Sequence, residues 1–358
     1  MDIKELFTGT KKLVGLDIGS NSLKLAEIIS TSHGYVLNRF RQIPVTPGII
    51  VDGVLEDAAA LSASIKELFH NSGCKGKGIV TSLSGSSVIV KKVTLAQMEE
   101  ADLRELIRDE AGKYLPFDNM DDVNFDFQIL GDNEYNPNQM DVIIVAAKKT
   151  DVNSYLDAIT AAGLTVLIMD VDSFALETMY EANYDFEENE IVVIVNIGAG
   201  LTNINVIKGG MSIFTRDFTI AGNAITEGLQ DRYGVSPEEA ERMKIEGVPG
   251  GEQENLDLRN AILECAEPIC AEIERSVDYF RSTFGGDYIK RVYLSGGSSR
   301  IAGLSGHMSQ RLNIETDVIN PLLKIGYNKK NIDAGKIESI KTLGAVAIGL
   351  GLRKIGDK

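Results

Sequence analysis

Two loops in this chain combine the residue types that hold an anion. In the first, Asp17-Ile-Gly19-Ser20-Asn21-Ser22-Leu-Lys24, small residues let backbone N–H groups turn toward one point, as in phosphate-binding nests. Ser20, Asn21 and Ser22 add side-chain donors, and Lys24 supplies a positive charge just past the turn. Asp17 ends an apolar run, where a carboxylate is costly unless it is paired or hydrogen-bonded to metal-bound water. The second loop, Asn196-Ile-Gly198-Ala199-Gly200-Leu-Thr202, repeats the pattern. Its glycines permit backbone approach to a β- or γ-phosphate, and Thr202 offers a hydroxyl. Either loop alone reads equally well as a simple turn. Half a chain length apart, the two predict two similar domains, each offering one hairpin loop to a shared cleft that clamps a nucleotide's phosphates.

Two further motifs fit that cleft. In Leu294-Ser-Gly296-Gly297-Ser298-Ser-Arg-Ile301 a strand runs into paired glycines, which leave room for a flat base or ribose against the backbone. Glu238-Glu-Ala-Glu241-Arg-Met-Lys244 places Glu241 and Lys244 on one helix face, a spacing that a surface ion pair would also explain.

The elements that must position these residues follow from periodicity and turn signals. Residues 13–29 read as a hairpin, 34–46 as a strand and 56–70 as a helix with Leu61, Ile65, Leu68 and Phe69 on one face. Residues 78–165 read as a β-β-α-β-β-α module of different texture, inserted in the first half. A strand at 164–170 and a helix at 173–183 then resume the main fold. The second hairpin, a strand at 211–218 and a helix at 223–233 follow. Ser236-Pro237-Glu-Glu239 starts a helix through Lys244 with a capping box. Residues 247–251 form a loop, and 256–284 a long helix interrupted or kinked near Pro268. The last helix is expected over 339–353. The expected division is 1–77, 166–190 and 339–358 as the first domain, 78–165 as the insert and 191–338 as the second domain.

Composition sets limits on function. The 358 residues, 44% hydrophobic and 25% charged, allow two or more domains with proper cores. A net charge of −16 leaves no electrostatic footprint for nucleic acid and argues against direct adhesion to anionic lipid. Three cysteines and three histidines, scattered, suggest neither a disulfide framework nor a metal site, and fit a reducing cytoplasm. Met1–Thr10 does not read as a signal peptide, and no apolar run reaches the ~18 residues of a membrane span. The longest candidate, Leu343–Leu352, reads as a core helix.

The four motifs, in the order given, resemble those of the actin-like ATPase superfamily: phosphate-1, phosphate-2, the adenosine motif and the nucleoside-touching helix. The resemblance implies an α/β fold of two duplicated ribonuclease-H-like domains around a nucleotide cleft, with subdomain 2B near 223–288. Within the superfamily the chain resembles the PilM family of type IV pilus assembly proteins, through Val14–Lys24, Gly85–Lys91, Glu110–Phe117, Ala146–Lys149, Asp170–Leu176, Gly222–Thr226 and Ala345–Leu350. The segment 78–165 then corresponds to the 1C-type subdomain that this family shares with FtsA. FtsA itself usually carries a tail and an amphipathic membrane-targeting helix, and the related GspL a membrane span. Here the sequence stops at Lys358, directly after the last expected core helix.

The resemblance implies ATP bound with Mg²⁺. Gly19, Ser20, Asn21, Ser22, Lys24, Gly198, Ala199, Gly200 and Thr202 would hold the phosphates. Glu241, Lys244, Gly296, Gly297, Ser298 and Ile301 would hold the nucleoside, while Asp17 and Asn196 would act on the metal through water. It assigns Asp170 to orienting the attacking water, with Asp172 as the neighbour that could serve instead. Asn196 departs from the superfamily, which usually has Asp there, so hydrolysis is expected to be slow at most. The implied role is a cytoplasmic adaptor that binds the N-terminal cytoplasmic tail of inner-membrane PilN, in a groove between insert and first domain, and meets motor or platform components of the pilus. The alternatives are an FtsA-like filament-forming protein and a small-molecule kinase of the sugar-kinase branch.

Overall fold

The computed structural model describes residues 13–117, 119–248, 251–284 and 288–356. The reading of Met1–Thr10, and part of the expected 247–251 loop, lie outside the described residues.

Two sheets share one plan. The first runs in the order Thr165–Val171, Gly78–Leu83, Val14–Ile18, Ser22–Thr31, Gly34–Pro44, with the short Gly326–Tyr327 at its edge. The second runs Thr316–Val318, Ile289–Ser295, Ile191–Ile197, Thr202–Lys208, Met211–Phe218. In each, three consecutive strands form an antiparallel meander, and two parallel strands add beside the first of them. The repeat of the loops is therefore a repeat of the whole fold. The central strand Ile191–Ile197 is buried at every residue except Asn196, as a near-continuous β-branched run between two covered faces must be.

The strand Gly78–Leu83 differs from the sequence expectation. It belongs to the first sheet, parallel to both Val14–Ile18 and Thr165–Val171, and not to the insert. Helix Lys149–Ala161 also packs into the first core, through Val152, Tyr155, Ala158 and Ile159. Of the segment expected as an insert there remain strand Val88–Ala96, helix Glu100–Tyr114 and strands Val123–Asn133 and Asn136–Lys148, around a core that includes Leu103, Ile107, Val142 and Ile144. Gly326–Tyr327, expected in the second domain, pairs with Gly34–Pro44 of the first sheet.

The expected last helix breaks at Gly344 into Ile337–Leu343 and Ala345–Leu352. All eight residues of the second piece are buried. A Cβ on Gly349 would lie 1.8 Å from the Ala175 carbonyl, and one on Gly15 would lie 2.1 Å from that of Ala347. Bare backbone contact here pins the first hairpin from below. Among the described residues no helix is long and apolar enough to cross a membrane. Helix Glu252–Thr283 runs through Pro268 without a break.

Candidate functional site

The two hairpin loops meet. Gly200 N–H donates to Ser20 Oγ at 3.2 Å, directly across the cleft between the two domains. Asp17, Gly19, Ser20, Asn21, Ser22 and Lys24 line this cleft from the first loop, and Asn196, Gly198, Ala199 and Gly200 from the second. Gly296, Gly297, Ser298 and Ile301 close it from the end of Ile289–Ser295, and Glu241 and Lys244 from helix Pro237–Glu246. Of the residues singled out from sequence, all but two line one space.

Local chemistry holds each piece in place. Asp17 lies opposite Lys24 in the hairpin ladder, with Lys24 Nζ 2.9 Å from Asp17 Oδ2. Asn196 and Asn203 occupy the matching pair in the second hairpin, and Asn196 Nδ2 donates to Asn203 Oδ1 at 3.1 Å. The second loop is closed by the start of helix Gly222–Tyr233: Gly222 N–H donates to Gly198 O at 3.0 Å and Asn223 N–H to Ala199 O at 2.7 Å. Helix Pro237–Glu246 starts on Ser236, whose Oγ accepts the Glu239 N–H, with Pro237 as its first residue. From that helix Lys244 runs back, buried, to Glu241 (2.6 Å), Thr226 Oγ1 (2.8 Å) and Gly222 O (3.1 Å). This pair, whose spacing a surface ion pair would also have explained, is an anchor between two helices.

The two exceptions have clear causes. Thr202 is buried, and its hydroxyl donates to Ile220 O at 2.9 Å, because the ladder sets it between Ile197 and Phe218. Asp170 does not line the cleft. Arg353 takes its carboxylate with two hydrogen bonds, Nε to Oδ2 at 2.6 Å and Nη2 to Oδ1 at 2.9 Å, which makes it a buried structural pair.

The neighbouring Asp172, the first residue of helix Asp172–Asn183, does line the cleft. Ser82 Oγ donates to its Oδ1 at 2.5 Å. Burial pushes its pKa up to about 7; Asp17 and Asp217 add to the rise, and hydrogen bonds from Ser82 and Ser84 oppose it. A carboxyl poised near neutrality is suited to accept a proton from water. Asn203 and Ser82 were not foreseen. Asn203 was accessible by superposing the hairpins, since it takes the place of Lys24; nothing local marks Ser82.

The residues fit a nucleotide. Ser295, on the adenosine-type turn, is 1% exposed and its Oγ has no partner among the described residues. Among the described residues a Cβ on Gly297 would meet only Leu343, at 3.5 Å, so that backbone borders open space. Among the described residues no group of three or more His, Cys, Asp or Glu is arranged to hold a metal. A divalent cation would rest here on phosphate oxygens and water, with Asp17 and Asp172 nearby, which is the way Mg²⁺ prefers to bind.

Residues 15–355 match the family model described as type IV pilus assembly protein PilM. Among solved structures, the chain is similar to a PilM-PilN type IV pilus biogenesis complex, at 27% identity and a TM-score of 0.85, over 98% of this chain and 100% of that one. It is also similar to ethanolamine utilization protein EutJ from Carboxydothermus hydrogenoformans, at 15% identity and a TM-score of 0.55, over 95% of this chain and 89% of that one, a likeness of fold alone. The architecture is the actin-like ATPase fold.

Proposed function

The chain belongs to the PilM family of type IV pilus assembly proteins, and on that premise we propose that it is an ATP-binding adaptor of the pilus machinery, held at the inner membrane by the N-terminal cytoplasmic tail of a PilN-like protein. The observation that carries this reading is similarity over essentially the whole chain to the PilM of a PilM-PilN complex. That similarity leaves the filament-forming and sugar-kinase alternatives without support of their own. We read the unit Val88–Lys148 as the inserted subdomain, and its junction with the first domain as the groove for the tail.

The chain's own residues divide the work. The N–H groups of the two loops, with Ser20 and Lys24, would hold the phosphates of ATP, and the Gly296–Gly297 turn would face the nucleoside. Mg²⁺, when bound, would neutralise phosphate charge. Asp172 replaces Asp170 as the residue that would orient and deprotonate water. Asn196 accepts and donates hydrogen bonds but brings no charge, so we propose slow turnover, with nucleotide serving to set cleft closure.

Calorimetry with the purified protein and the N-terminal peptide of a PilN-like protein, with and without ATP·Mg, tests the reading. Saturable peptide binding is expected. ATP binding without any peptide binding would leave the cleft assignment standing and remove the adaptor role.

A further inference from the structure

Strand Gly78–Leu83 leaves the first sheet and enters the insert through four small residues, Ser84–Ser87. This segment touches three parts of the molecule at once. Toward the cleft, Ser84 lines the same space as Asp172, whose Oδ1 accepts from its near neighbour Ser82. Toward the hairpin formed by Ile50–Val51 and Val54–Leu55, Ser86 Oγ donates to Asp52 O at 3.3 Å and Ser87 Oγ to Gly53 O at 3.1 Å. Toward the second domain, Gly85 N–H donates to Asp217 Oδ2 at 2.7 Å.

Asp217 connects onward to the phosphate site. It lies directly opposite Asn203 in the ladder, so the Asn203 amide stands beside its carboxylate. Asn203 in turn accepts from Asn196, at the base of the second phosphate loop. A row of polar neighbours therefore runs Asn196, Asn203, Asp217, Gly85, from that loop to the entry of the insert, hydrogen-bonded at its two ends and joined in the middle by the ladder pair. Leu201, in the same loop, packs against this point: its Cδ1 would lie 3.2 Å from a Cβ on Gly85.

The insert touches the second domain elsewhere too. Glu134 pairs with Lys208, and Lys92 Nζ stands 5.6 Å from the centre of the Phe284 ring. The insert is thus covalently part of the first half while resting on the second. A body held in this way cannot keep both sets of contacts when the halves separate. Opening the cleft carries Asp217 away from Gly85, so the bond breaks or the segment follows it. If the segment follows, Ser84, which lines the cleft beside Asp172, follows too.

We infer that Ser84–Ser87 is the coupling element between nucleotide cleft and insert, with Asp217 as its positioning residue: a closed cleft holds Gly85 against Asp217 and so sets the angle of the insert against the first domain. This deepens the proposed function and rests on its nucleotide-binding part, but not on the identity of the partner.

Hydrogen exchange on the full chain, with and without ATP·Mg, tests it. In the native protein ATP·Mg should slow exchange at Gly19–Ser22 and also at Gly85–Ala96, by about fivefold or more at the latter if closure restrains local opening. In Asp217→Ala the slowing at Gly19–Ser22 should persist and that at Gly85–Ala96 should vanish; Asp217→Asn, which keeps an acceptor oxygen, should restore it. Undiminished protection of the insert in Asp217→Ala would overturn the inference. So would protection of Gly19–Ser22 alone in the native protein, a result that stands even if the alanine variant fails to fold. Protection at neither segment would sink the nucleotide reading and the coupling together.

Discussion

Ser82 Oγ lies 2.5 Å from Asp172 Oδ1, so a strand of the first sheet holds the carboxylate that the connecting helix brings to the cleft. Two positions earlier, Asp170 is held by Arg353. Two acids that look alike in the sequence therefore have different surroundings.

Substituting them should give opposite results. Asp172→Asn should lower single-turnover ATP hydrolysis by about 100-fold or more, the usual scale for a lost general base, with ATP affinity little changed. Asp170→Asn should spare hydrolysis per folded molecule but lower stability by about 3 kcal/mol, because it weakens a buried ion pair. If Asp170→Asn instead abolished hydrolysis in a protein of native melting temperature, the assignment to Asp172 would fail.

Stability should depend on pH in a definite direction. Burial lifts Asp172 to about 7, and burial likewise lifts Glu177 to about 7 despite its bonds from Ser212. Both values lie above those of the unfolded chain, so the folded state holds more protons between about pH 4 and pH 7. These groups therefore add stability as pH falls from 7 and remove it as pH rises through 7. Denaturant titrations across this range should show a slope that Asp172→Asn reduces; an unreduced slope would contradict the burial argument. Hydrolysis that needs ionised Asp172 should decline over the same acid range.

Asn196→Asp should raise turnover and make ATP binding more dependent on Mg²⁺, each by severalfold. The new carboxylate would stand where Asp17 stands in the first hairpin, but opposite Asn203 rather than a lysine. Its charge would therefore be left for a cation or its waters. Turnover measured at several Mg²⁺ concentrations decides this, and an unchanged rate would mean that the neutral amide is not what slows the chemistry.

The two glycines of the nucleoside turn should behave differently. Gly296 has φ +85°, and a Cβ there would lie 2.4 Å from the Ile197 carbonyl. Gly296→Ala should cost about 1–3 kcal/mol of stability. Gly297→Ala should leave the melting temperature near native and weaken ATP binding by about tenfold, since its Cβ would enter the space left for the nucleoside. Native affinity in folded Gly297→Ala would place the nucleoside elsewhere.

The two hairpins and the start of helix Pro237–Glu246 were legible in the sequence because each is local. Turn residues, alternation and caps act within a few positions, and they state their own geometry. Burial of Thr202 and the place of Gly78–Leu83 were not legible. Thr202 loses its hydroxyl to Ile220 through ladder register, and Gly78–Leu83 finds partners at Val14–Ile18 and Thr165–Val171, far away in both directions. The same holds for the acids at 170 and 172. The sequence by itself determined that a carboxylate stands at the end of that strand. Only the tertiary structure decided which one faces the nucleotide cleft, because the choice depends on Arg353 and Ser82, which are distant in sequence and are brought to the strand end by packing.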